Sequence, residues 1–131
     1  MSPNHFHQLE CWRLSDALRS EVHAICAKAV VTNDRKFCTA FRDAAGSVCR
    51  NIAEGFARFH SADIVQFFTY ALASLAEVQD GLKECLARQA VDQPKYDALV
   101  DLSEHAKATT LKFMRPHEER VRKRRQSRSR T

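Results

Sequence analysis

Glycine and proline are scarce in this sequence, with three of each among 131 residues. Because these two residues most often mark turns, their scarcity indicates long helices with few connections. No stretch approaches the roughly 18 apolar residues of a membrane span, and the first five residues lack the basic-then-apolar order of a signal peptide. The length is that of one domain. The sequence therefore predicts a single helical domain in the cytoplasm.

The common patterns of catalytic and cofactor sites are also absent from the sequence. There is no GxGxxG, GxxxxGK[ST] or GxSxG motif. A di-iron site in a helical bundle requires two Glu-x-x-His motifs, and none occurs. His5, His7 and Cys11 come nearest to a metal cluster, but a flexible terminus, expected over residues 1–8, gives the histidines no fixed geometry. We predict a protein without enzymatic activity, metal or cofactor.

Cysteine usage favours reduced thiols. The number of cysteines is odd, their spacing is irregular and no CxxC pair occurs. A free cysteine within a helix behaves as a small apolar residue. We therefore expect neither disulfides nor a zinc site from Cys11, Cys26, Cys38, Cys49 and Cys85.

Positive charge is concentrated at the carboxyl end. Residues 115–131 hold eight basic and two acidic residues, a net charge of +6, whereas the other 114 residues hold 13 basic and 14 acidic residues, a net charge of −1. We expect Pro116 to end the last helix and the segment 115–131 to be a disordered basic tail. The tail either binds nucleic-acid phosphates or only keeps the protein soluble. The residues predicted to bind phosphates are Arg120, Arg122, Lys123, Arg124, Arg125, Arg128 and Arg130.

Apolar periodicity predicts four helices within residues 9–114. The first covers about residues 9–30, the second 37–59 and the third 62–89, and the fourth begins near Pro94. Asn33 or Asp34 is the predicted N-cap of the second helix, Ser61 that of the third, and Asp92 precedes the fourth. The predicted fold is all-α, an antiparallel up-down-up-down four-helix bundle with short connections. The apolar seam of the third helix is Ile64, Phe68, Ala71, Leu75, Val78, Leu82 and Cys85, and the stripe of the second runs from Phe37 to Phe59.

Two rows of polar residues lie beside these apolar stripes. Ser47, Asn51 and Glu54 share one side of the second helix, and Tyr70, Ser74 and Glu77 share one side of the third. If the two helices pack antiparallel, Ser47 and Asn51 could donate hydrogen bonds to Glu77. The rows fit a structural hydrogen-bond network, a ligand site or a solvent-facing edge. Gly55, inside the second helix, indicates a close approach or a bend.

A family resemblance rests on the run Asn51-Ile52-Ala53-Glu54-Gly55 and its flanks. The flanking matches are Arg42, Ser47, Arg58, Ser61, Phe67, Ala71, Ser74, Leu75 and Glu77, with Phe6, Leu9, Trp12 and Ala17 near the start. In these residues the chain resembles the four-helix-bundle proteins encoded by intervening sequences of bacterial large-subunit (23S) ribosomal RNA genes, over about residues 6–113. It departs from them at Asp43, where a second arginine is common.

The resemblance implies a homo-oligomer, a ring of five, that associates with RNA rather than DNA. Arg42, Arg50 and Arg58 could add nucleic-acid contacts from the bundle, although their spacing of eight residues spreads them around the helix. The leading hypothesis is a non-catalytic, oligomeric, nucleic-acid-associated protein. The alternative is an interaction scaffold, or an accessory protein that recruits a partner, as a related branch of the fold does for a retroelement reverse transcriptase.

Overall fold

The structure is a computed structural model that describes residues 2–130. A 3-10 turn at Phe6–Gln8 precedes the first helix. Four helices are long and one is short, and none in the described part of the chain is long and apolar enough to cross a membrane. Their bounds are Glu10–Cys26 for α1, Ala29–Thr32 for α2, Arg35–Phe56 for α3, Ser61–Ala87 for α4 and Gln93–Ser129 for α5.

The four long helices enclose one core, in which each packs against two neighbours: α1 on α3, α3 on α4, α4 on α5, and α5 on α1. Residues that meet between α3 and α4 follow opposite orders along the two helices, since Ser47 contacts Ser74 while the earlier Phe41 approaches the later Gly81. The fold is thus all-helical and bundle-like. The same reversed order holds for Ser61 with His117 and Gln79 with Ser103 between α4 and α5, and for Glu10 with His105 and Glu21 with Lys95 between α1 and α5.

The apolar periodicity of the sequence predicts most of the core. All seven seam residues of the third predicted helix are buried in α4. In α3, Phe41, Val48 and Ile52 are buried as predicted. The prediction that Phe59 continues this stripe is wrong, because α3 ends at Phe56 and the Phe59 side chain is 97% exposed. All five cysteines are buried and free.

Two of the predicted helix starts are confirmed and one is wrong. The Asp34 carboxylate accepts a hydrogen bond from the Phe37 amide at 3.0 Å, and Asp92 caps α5 in the same way. Ser61 is not the N-cap of α4, because the N-cap is His60 and Ser61 is already the first helical residue. The first predicted helix is also shorter than expected, since α1 ends at Cys26 and residues 29–32 form the separate helix α2.

The prediction that Pro116 ends the last helix is wrong. α5 continues through Pro116 to Ser129, so a helix replaces the disordered tail predicted for residues 115–131, of which Thr131 lies outside the described residues. Proline removes one helical hydrogen bond, here the one to the Lys112 carbonyl. Pro116 and Lys112 are both exposed, so water can satisfy that carbonyl. The helix can therefore continue through Pro116.

The segment before α1, predicted to be flexible over residues 1–8, packs against that helix in part. The Phe6 ring lies 5.3 Å from the Trp12 ring in an edge-on arrangement, and the Arg13 guanidinium donates to the His7 carbonyl at 2.9 Å. Gln8 accepts a hydrogen bond from the Asn4 amide at 2.6 Å. Met1 lies outside the described residues.

Candidate nucleic-acid interface

The carboxyl-terminal part of α5 is a basic helical extension, which we define as residues 118–129. It is twelve residues long, or roughly 18 Å at about 1.5 Å per residue. Val121 is its last half-buried side chain, and every residue from Arg122 to Arg130 is exposed. At about 100° per residue its cations surround the helix, and the widest arc without one is about 100°. The extension can therefore present positive charge in every direction.

Aromatic and polar contacts fix the base of the extension to the bundle. The Ser61 hydroxyl of α4 lies 3.1 Å from Nδ1 of His117, one residue after Pro116. The Phe113 ring stacks on the buried Phe68 ring, with centroids 4.9 Å apart, and the His117 ring lies 5.6 Å from that of Phe113. Burial, with a smaller effect of nearby Arg120, lowers the pKa of His117. These contacts hold the turn that follows the proline.

A hollow of about 690 Å³ lies between the first turns of α4 and the extension. Val65 is its α4 residue, and Arg115, Arg122 and Arg125 give it cations. Acidic residues partly offset this positive charge, because Glu118 and Glu119 also line the hollow and Glu119 pairs with Arg122. The hollow is therefore not purely cationic, and Lys123, Arg124 and Arg128 of the extension lie outside its lining.

The three arginines predicted as possible contacts from the bundle do not form one patch. Arg50 pairs with Asp43 at 3.0 Å, and Arg42 is half-buried. Arg58 pairs with Glu54 and places its guanidinium 4.7 Å from the centroid of the Phe67 ring. Of the three, Arg58 lies at the end of the bundle where the extension leaves it, because Ser61 follows shortly after and contacts His117.

The polar rows of α3 and α4 meet, but not as predicted. The Ser74 hydroxyl donates to the Ser47 hydroxyl at 2.8 Å, and the Asn51 amide donates to the Ser47 hydroxyl at 3.0 Å and to the Ser47 carbonyl at 2.8 Å. The predicted hydrogen bonds from Ser47 and Asn51 to Glu77 are not formed. Glu77 is exposed beside a neighbouring hollow, and Glu54 pairs with Arg58 instead.

Gly55 confirms the close approach that the sequence indicates. A Cβ at this position would lie 2.6 Å from Cδ1 of Phe68, a ring of the core. Glycine therefore lets α3 pack closely against α4.

Sequence reasoning missed Phe59 as a surface residue of this region. It lies in the turn between α3 and α4, after the C-cap Ala57 and before the N-cap His60. The available signal was the start of α4: a helix beginning near residue 61 requires a turn just before it, and a turn residue cannot continue the buried stripe of α3.

The described residues offer little to metal or thiol chemistry. They contain no group of three or more His, Cys, Asp or Glu side chains that could hold a metal ion. Burial raises the pKa of Cys26 to about 12 and that of Cys11, Cys49 and Cys85 to about 11. These four thiols therefore remain protonated at neutral pH.

Comparison with known proteins assigns the family. The model of the 23S rRNA-intervening sequence protein family matches residues 7–111. The chain belongs to this family. The match covers the bundle from the turn before α1 to Leu111, whereas the basic extension lies beyond the matched residues of this family member. A search of curated proteins gives no match.

Proposed function

We propose that this protein is a non-catalytic, oligomeric, RNA-associated protein of the cytoplasm, in which the bundle assembles copies and the basic extension binds phosphates. The observation that carries the proposal is the extension itself. Five basic residues, from Arg122 to Arg128, are exposed on a helix that continues past the bundle, and Arg130 at its C-cap is exposed as well. Exposed arginines bind phosphate backbones without sequence preference and release counterions as they do so.

We further propose that the bundle has the up-down-up-down arrangement. The reversed order of contacts between α3 and α4, α4 and α5, and α1 and α5 supports it. For α1 and α3, Cys26 faces Cys38, and Arg19 lines the same hollow as Cys49. In this arrangement the amino end of α1, the turn between α3 and α4, and the extension all lie at one end of the bundle.

A second hollow supports self-association. It has a volume of about 480 Å³, lies between α3 and α4, and is lined mainly by apolar and small residues, with Glu77 and Asp80 at its polar side. Carboxylates repel phosphates, so this face suits a protein contact better than RNA. We propose a ring of five copies, in which several extensions raise the effective concentration of binding sites for one RNA. The lining residues are Phe37, Ala40, Phe41, Ala44, Ala76, Glu77, Asp80 and Gly81.

The choice of RNA over DNA is supported by the family, whose description names 23S rRNA. The choice of a non-catalytic role is supported by the sequence, which carries no GxGxxG, GxxxxGK[ST], GxSxG or Glu-x-x-His motif.

The experiment compares RNA binding by three proteins over a series of salt concentrations, using fluorescence anisotropy. The first is the full chain and the second ends at Val121, which keeps the buried Met114 and the contact of His117 with Ser61. The third keeps the full length but replaces the six basic residues after Val121 with glutamine. We expect both variants to bind more weakly, with a salt slope smaller by about 0.7 for each phosphate that is no longer neutralised.

The glutamine variant separates charge from helix length, and urea unfolding of all three proteins controls for folding. Equal affinity and salt slope for the three proteins would refute the role of the extension. Absence of RNA binding by all three would instead favour the scaffold or accessory role, which pull-down with a purified reverse transcriptase would then test.

A further inference from the structure

We propose that Phe59 is a base-stacking residue, which directs the protein to unpaired RNA rather than to duplex. This inference rests on the proposed function, since it names the class of RNA that the extension holds. Phosphate contacts give affinity without distinguishing paired from unpaired strands, whereas an exposed aromatic ring can stack only on a base whose face is accessible.

Exposure of Phe59 is the first observation. Its side chain is 97% exposed, compared with 61% for Val30 and 46% for Tyr70, the other large apolar residues exposed in the described chain. Single exposed apolar residues are common on protein surfaces and by themselves indicate nothing. A function for this ring therefore requires suitable groups around it.

The position of Phe59 is the second observation. It comes two residues before Ser61, whose hydroxyl contacts His117 at 3.1 Å, and the extension begins at the next residue of α5. Val65, one turn further along α4, lines the same hollow as Arg122 and Arg125. The ring, in the turn before α4, and the base of the extension, on the neighbouring α5, therefore lie at the same end of the bundle.

A second flat surface lies next to Phe59 in the chain. The Arg58 guanidinium lies 4.7 Å from the centroid of the Phe67 ring, and its ion pair with Glu54 holds it there. A planar guanidinium can stack on a base as well as bind a phosphate. Phe59 and Arg58 together thus offer stacking surfaces beside the cations of the extension.

This combination fits unpaired RNA better than two other occupants. A duplex buries the faces of its bases, so it would use the arginines and leave Phe59 without a partner. An acidic protein could also bind arginines, but one exposed ring gives it little hydrophobic area to bury. Unpaired RNA uses both features, because bases and phosphates alternate along its strand.

The experiment measures the binding of Phe59→Ala and of the unchanged protein to a 12-nucleotide uridine strand and to a blunt 12-base-pair RNA duplex. The matched control is Val30→Ala, which removes another exposed apolar side chain, from α2. We expect Phe59→Ala to weaken strand binding about tenfold, without altering its salt slope, and to change duplex binding less than twofold. Val30→Ala should change neither.

A direct readout comes from Phe59→Trp, whose emission should be quenched by the strand but not by the duplex, beyond the Trp12 signal of the unchanged protein. If Phe59→Ala leaves strand binding unchanged, or weakens strand and duplex equally, the stacking role is refuted while the proposed function stands. Polyglutamate serves as a model of an acidic protein. If it displaces the strand, and if Phe59→Ala weakens polyglutamate binding as much as strand binding, an acidic protein surface is the better occupant. If the unchanged protein binds neither RNA, the proposed function itself fails.

Discussion

At the scale of single residues, two glycines of α3 predict opposite responses to the same substitution. A Cβ at Gly55 would lie 2.6 Å from Cδ1 and 2.7 Å from Cε1 of Phe68, which is fully buried. A Cβ at Gly46 would meet only the guanidinium of Arg50, the end of a flexible exposed side chain, with Nη1 at 2.7 Å and Cζ at 3.8 Å. One position therefore needs glycine for packing, and the other does not.

We expect Gly55→Ala to lower the free energy of unfolding by about 1–2 kcal/mol, because overpacking a core costs about 1–3 kcal/mol and helix propensity returns up to about 1 kcal/mol. Gly46→Ala should leave it unchanged or raise it by up to about 1 kcal/mol. Urea unfolding of the two variants measures both values. Equal changes would contradict the close packing of α3 on α4 at Gly55.

The polar rows show how far residue-scale prediction can reach. Helical spacing correctly places Ser47 and Asn51 on one side of α3 and Ser74 on the facing side of α4, because the period of a helix fixes its faces. It does not fix the axial position of one helix relative to the other. Ser74 therefore takes the position opposite Ser47 that was predicted for Glu77, and Glu77 remains exposed.

At the scale of the element, the junction between the bundle part of α5 and its extension should respond to pH. Burial and Arg120 lower the pKa of His117 from its ordinary value of 6.5. At pH values between the lowered pKa and 6.5, the folded protein therefore binds fewer protons at His117 than the unfolded chain does. Stability from neutral His117 is therefore present above about pH 6.5 and is lost as pH falls toward the lowered pKa.

We expect the free energy of unfolding of the unchanged protein to fall more between pH 7 and pH 5 than that of His117→Gln, in which this titration is absent. The other five histidines are common to both proteins, so the difference between the two pH profiles isolates His117. Urea unfolding at each pH measures the profiles. Parallel profiles would show that His117 keeps its ordinary pKa and that the contact with Ser61 is not sensitive to protonation.

The long helices also show why their boundaries are hard to predict. The seam of α4 repeats regularly over 22 residues, from Ile64 to Cys85, and all of it is buried, so a regular pattern predicts both helix and core. The sequence predicts a stop at Pro116 because proline usually ends a helix. That local rule does not include the contacts of His117 with Ser61 and Phe113, which come from a distant part of the chain and from the preceding turn.

At the scale of the whole molecule, charge and apolar surface lie in different places. Basic residues concentrate at the end of α5, while the hollow between α3 and α4 joins apolar side chains to Glu77 and Asp80. Such a division suits a protein whose copies contact one another through one surface and RNA through another. Sequence composition alone reveals the basic end, whereas the hollow depends on how α3 and α4 pack and cannot be read from either helix.

This division predicts that Ala76→Glu, at an exposed position lining the hollow, disrupts assembly. The new carboxylate would be desolvated among apolar groups and lie near two other acids, so we expect a protomer of about 15.0 kDa in light scattering. Ala108→Glu, on the exposed side of α5, adds the same charge and should leave the proposed oligomer intact. Binding to a long RNA should weaken at least tenfold in Ala76→Glu relative to Ala108→Glu, because several extensions no longer act together, while binding to an eight-nucleotide RNA should stay equal. If both variants assemble alike, the hollow is not the surface through which the copies associate.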